Sequence, residues 1–156
     1  MNLAAAAPLW LYLLLAACLG AAAVEDAVRL RIANFTCGAI ALLAMIAFMV
    51  TGPHWSIWEN LLVFIGVLIV GTFAFSAGVV GGGDVKLLAA VGLWTPFKSA
   101  LPLLSVIFLA GGALALAAML AWQFRRSAPS PVKTRRIPYG VAIASGAAIV
   151  FQSART

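Results

Sequence analysis

Apolar residues run in long blocks separated by short polar or Gly- and Pro-containing breaks, and the blocks themselves set the expected architecture. The first, residues 8–24, carries no charge and is near the shortest helix that crosses a hydrocarbon core. A charged connection from Glu25 to Arg31 leads into a second block over residues 33–50. Gly52 and Pro53 then stop the helix and make a turn. Residues 60–80 form a third span that ends at Gly81-Gly82-Gly83, and residues 85–95 a fourth of only about 15 Å, half a membrane. Residues 100–122 and 139–152 complete the set, with the linker 123–138 between them. The pattern predicts an all-α integral membrane protein: one domain over residues 1–156, a bundle of about six transmembrane helices, one short and starting at a Gly-rich loop.

Composition agrees with the blocks. At 65% hydrophobic and 9% charged residues, with a mean hydropathy of +1.12, the chain does not read as a soluble domain. A net charge of +6 raises nucleic acid as a partner, but the basic residues cluster between apolar spans, where anionic lipid headgroups are the better match. No nucleic-acid partner is expected. Arg29 and Arg31, Lys86, and the linker residues Arg125, Arg126, Lys133, Arg135 and Arg136 fall on one side of the predicted topology. Only Lys98 and Arg155 fall on the other. The positive-inside rule therefore places both termini outside and the loops carrying Asp26 and Asp84 at the cytoplasmic face. Trp10, Trp55, Trp58 and Trp94 are expected at the outer interface and Trp122 at the inner one. Cys18 and Cys37 lie inside apolar runs as buried free thiols, and no positive n-region precedes the first block, so no leader cleavage is expected.

Asp84 is the costly group. It stands beside three glycines where hydrocarbon is expected, and ionisable groups at membrane depth usually face protein or a water-filled cavity and mark working sites. Gly81, Gly82 and Gly83 can take positive φ and let another chain come close. Asp26, far away in sequence, is predicted at similar depth on the same side. Two carboxylates close enough to share a proton push each other's titration apart, so one takes a proton from water while the other gives one to a leaving amine. Asp26 competes with Glu25 on equal terms from the residues alone. The single His54 is expected on the opposite side, which disfavours a Ser or Cys nucleophile with a histidine base. Four acidic residues are too few for an expected metal centre, and the Gly-Lys-Ser/Thr ending of a phosphate loop is missing. The two aspartates are left as the catalytic candidates, with no metal and no cofactor.

Gly81-Gly82-Gly83-Asp84-Val85-Lys86 resembles the GxGD motif of the type IV prepilin peptidases, and Asp26 with Asn34 eight residues on resembles their first-aspartate segment. Pro138-Tyr139-Gly140 followed by Ala142-Ile143-Ala144 is similar to the final span of the short members serving Flp, or tight-adherence, pili. The resemblance implies a bacterial inner-membrane aspartic endopeptidase that removes prepilin leaders at the cytoplasmic face, with Asp26 and Asp84 as its pair. The implied partners are a prepilin or pseudopilin and the pilus-assembly machinery. Two departures stand out. Ala33 replaces the usual Pro before Asn34, and the cysteine-rich region that long members associate with N-methylation is not in the sequence, so peptidase without methyltransferase activity is expected. Two other readings remain: a non-enzymatic assembly factor or proton relay, and a presenilin-like protease cutting inside membrane helices.

The same residues also have plainer roles. Asp84 suits a helix N-cap. Lys86 suits an interfacial anchor, or orients a carboxylate, and Asn34 suits a helix start or a hydrogen-bond donor to the site. Gly81 and Gly83 suit either substrate approach or tight packing. Tyr139 suits the membrane interface, and Glu59 and His54 suit solvated turns.

Overall fold

The computed structural model describes residues 1–52, 54–124 and 139–155. The described residues form seven helices and no strand: α1 (Leu3–Ala6), α2 (Leu9–Arg29), α3 (Asn34–Thr51), α4 (Ile57–Ser76), α5 (Gly82–Gly92), α6 (Phe97–Phe124) and α7 (Tyr139–Ser153). Four of them, α2, α3, α4 and α6, are long and apolar enough to cross a membrane. The all-helical expectation holds, including the short helix that starts at the glycines. The basic linker falls mainly on residues 125–138, outside the described residues.

Helix ends differ from expectation in instructive ways. The acidic pair Glu25 and Asp26 belongs to the last turns of α2, because nothing before Leu30 breaks the helix. Leu30 then takes a left-handed conformation at φ 52, and its N–H bonds the carbonyl of Asp26. It is the one described non-glycine residue with positive φ, a conformation that stores on the order of 1 kcal/mol. At its other boundary, α4 stops at Ser76 rather than running to residue 80. Gly78, at φ 74, lets its own N–H reach Phe75 and that of Val79 reach Ala74, which closes the helix in a Schellman motif. The triple glycine does not use its freedom of φ. Gly81 sits at φ −73, and Gly82 and Gly83 are already the first turn of α5.

The short α5 is the hub. It packs on α4, α3 and α7, while α7 also packs on α2 and α6. Val85, Leu87, Ala89, Ala90, Val91 and Gly92 are buried on α5, whereas α4 buries only Asn60 and Val63. Small residues allow the close approaches: a Cβ on Gly71 would meet Val85 at 2.5 Å, and one on Gly146 would meet Ile107 at 2.8 Å. Trp94 is fully buried and donates its indole N–H to the Ile40 carbonyl, 3.2 Å. Its carbonyl accepts from the Leu3 N–H at the end of α5 away from Asp84, so the ring is packed into protein there rather than exposed at the surface.

Candidate active site

One face of α2 carries Leu11, Leu15, Leu19, Ala22 and Asp26, all buried, at steps of three and four residues that make a single helical stripe. Asp26 therefore points into the bundle, although it is charged. Glu25, one residue earlier, is turned about 100° away. Its Oε2 accepts from the Ala33 N–H at 3.0 Å and from the Thr36 hydroxyl at 2.9 Å, so it ties the start of α3 to the end of α2. The two acids that the sequence left level are separated by the fold: one binds a helix start, the other faces the interior. The stripe was readable beforehand, and extending it one turn past Val24 would have picked Asp26 without reference to any family.

Asp84 stands in the first turn of α5, two residues after Gly82. It is not the N-cap, which is Gly81. Its carboxylate instead reaches back to the Gly81 amide, and a Cβ on Gly81 would lie 2.7 Å from Asp84 Oδ2. Burial, and after it the charge of Asp26, pushes the Asp84 carboxyl up from near 3.8 to about 6, against the Gly81 hydrogen bond. Asp26 and Asp84 line one cavity of about 240 Å³. Its remaining walls, among the described residues, are the Leu30–Ile32 connection, which brings the cation Arg31, and Gly81, Gly82 and Gly83. Gly83 is packed on this connection, since a Cβ there would come within 3.3 Å of Ile32 Cβ and 3.5 Å of its backbone nitrogen. Both Gly81 and Gly83 thus make room for protein groups.

Asp26 has a partner that the sequence did not suggest. The backbone N–H of Gly140, in the first turn of α7, donates to Asp26 Oδ2, and the Val141 amide faces the same carboxylate. Asn34 and Lys86 meet beside the cavity, where Lys86 Nζ donates to Asn34 Oδ1 at 2.9 Å. Lys86 and Asn34 are both exposed. Tyr139 does not act as a free interfacial ring: a Cβ on Gly111 would meet its ring carbon at 2.7 Å, so it is pressed against α6. His54 follows α3 and lies at the end of the bundle opposite the cavity, as the topology requires. Among the described residues no three His, Cys, Asp or Glu side chains come together as a metal cluster would need. The chemistry on offer is two carboxylates around a small, partly open cavity, one of them holding its proton into the mildly acidic range.

No match was found among curated proteins or among solved structures. A family model describing the type IV leader peptidase family matches residues 13–118, a segment that holds both aspartates, the Asn34–Lys86 pair and the glycines. That match spans well over half of the sequence, and the helical fold with its apolar spans suits an integral membrane protease. The chain belongs to the type IV leader peptidase family.

Proposed function

We propose that this protein is an aspartic endopeptidase of the bacterial inner membrane that removes the leader from Flp-type prepilins, with Asp26 and Asp84 as the acid and base around one scissile bond. The observation that carries the reading is the shared cavity: two carboxylates from α2 and α5 face it, and burial, with the charge of Asp26 after it, holds the proton on Asp84. With one proton between them, the ionised carboxylate draws a proton from water as its oxygen attacks the scissile carbonyl. The protonated one polarises the carbonyl oxygen and then supplies the proton that the departing amine needs. The pair titrates together, so its apparent values belong to the pair.

Gly81 and Gly83 keep α5 close enough for Asp84 to face Asp26, and the Asn34–Lys86 bond braces the starts of α3 and α5 at the cavity mouth. Arg29, Arg31 and Lys86 belong to the cavity end of the bundle, Lys98 and Arg155 to the other. This asymmetry supports a cytoplasmic active site with both termini outside. No methylation of the product is expected. The partners in this reading are the prepilin, surrounding lipid and the pilus-assembly machinery.

The test is cleavage of a purified Flp-type prepilin by the reconstituted protein, with Asp26→Asn and Asp84→Asn alongside. Each variant is expected to lower the rate by roughly 10²–10⁴-fold, and full cleavage by both would exclude the pair. The position of the cut relative to the bilayer separates leader removal, outside the hydrocarbon, from proteolysis within a membrane helix.

A further inference from the structure

Helix α7 lies beyond the segment matched by the family model, yet it touches the reacting end of the molecule. Gly140 is its second residue, so its N–H is one of the amides that no helical carbonyl can satisfy. That N–H donates to Asp26 Oδ2 across 114 positions of sequence. A Cβ on Gly140 would stand 2.8 Å from Asp26 Oδ2, 2.9 Å from Asp26 Cβ and 2.8 Å from Ile32 Cδ1. The Ile32 contact is the far end of a flexible side chain and can yield. The Asp26 contacts cannot, because its Cβ is fixed to the last turn of α2. Anything larger than glycine must move the carboxylate or the helix.

We infer that Gly140 is a positioning residue for the peptidase reaction: its backbone N–H and its missing side chain together hold the Asp26 carboxyl toward the cavity and Asp84. The inference rests on the proposed aspartate pair. Its anchor is the neighbouring Tyr139, whose ring is pressed on Gly111 and holds the first turn of α7 to α6. Gly146 supplies the matched comparison. It is a second tightly packed glycine on the same helix, remote from the carboxylates.

Two experiments test it. In the reconstituted full-length protein, Gly140→Ala is expected to lower kcat by about 10-fold or more with KM within about twofold, as a small displacement of a reacting group does. Gly146→Ala is expected to lower the melting temperature and leave kcat of the folded enzyme as it was. Equal kcat losses in the two variants, or none in Gly140→Ala, would overturn the inference. The second experiment needs no change at Gly140. Tyr139–Gly140 is the only Tyr-Gly step in the sequence, so ¹³C-carbonyl tyrosine with ¹⁵N-glycine isolates its amide in an NMR spectrum. The Gly140 proton is expected downfield in the wild type and to move upfield in Asp26→Ala; an unmoved resonance overturns the inference even where Gly140→Ala does not fold. Cleavage that persists in Asp26→Asn would instead sink the aspartate pair, a separate outcome from an unmoved Gly140 resonance in an enzyme that needs Asp26.

Discussion

The two ends of the bundle handle buried polarity in opposite ways. At the end away from the cavity, Asn60 is fully buried and donates to the carbonyls of Leu93 at 2.8 Å and Met1 at 3.1 Å. Arg155 there donates to the carbonyls of Ala4 at 2.9 Å and Ala7 at 3.0 Å and lies over the ring of Tyr12. Each of these groups is matched to an acceptor, and the network ties the α1 segment to α4, to the end of α5 and to the residues that follow α7. At the cavity end two like-charged acids face a shared space, and the fold leaves one of them holding a proton to about 6. Matched polarity is architecture. A like-charged pair costs stability, which is what marks this end as the candidate working site.

The contrast can be broken at its strongest point first. Substituting either Asp26 or Asp84 should remove cleavage by orders of magnitude while leaving the protein folded, whereas no polar substitution at the far end should change turnover per folded molecule. Asn60→Ala should do the reverse. It strands the Leu93 carbonyl in the core and is expected to cost roughly 1–3 kcal/mol, read as a lower melting temperature in detergent, with the folded fraction still cleaving.

The pH dependence sharpens the comparison further. A carboxyl raised to about 6 keeps its proton in the folded protein while the unfolded chain gives it up near 3.8. Stability attached to this group is therefore present at low pH, declines as pH rises from about 4 to 6, and is level above that. Asp84→Asn, expected to be inactive, should be more stable than the wild type at pH 7.5 by about 1–2 kcal/mol, a figure trimmed for the solvent that reaches the cavity. The gap should close below pH 4. A gap that stays constant with pH would mean that Asp84 does not pay this penalty. Smallest of all, Glu25→Ala should cost about 1 kcal/mol through the lost bonds to Ala33 and Thr36 and leave cleavage intact. That would set the neighbouring acids of one helix turn on opposite sides of the comparison.

Much of this was legible in the chain. The apolar blocks gave the helices, because length and hydropathy decide what crosses a bilayer, and Asp84 stood out because a charge beside three glycines has no cheap explanation there. The order of the blocks even placed His54 away from the carboxylates. What misled was the treatment of charges and glycines as breaks. Glu25 and Asp26 continue α2, and Gly82 and Gly83 open α5, since neither acids nor a pair of glycines stop a helix that tertiary contacts hold. The real left-handed positions, Leu30 and Gly78, were not singled out. Nor did the chain announce what covers the Trp94 ring, which is buried in protein with its indole N–H on the Ile40 carbonyl.

By itself the sequence determined the helical class, the apolar spans, the family's motifs and the two candidate acids, all of which follow from local composition and spacing along a helix. Only the tertiary structure decided that Asp26 and not Glu25 faces the interior, that Asp84 bonds back to Gly81, and that the first turn of α7 closes on Asp26. Those choices depend on which helix faces come together across more than a hundred residues of chain, and hydrophobic periodicity says which face is buried without saying what it will be buried against.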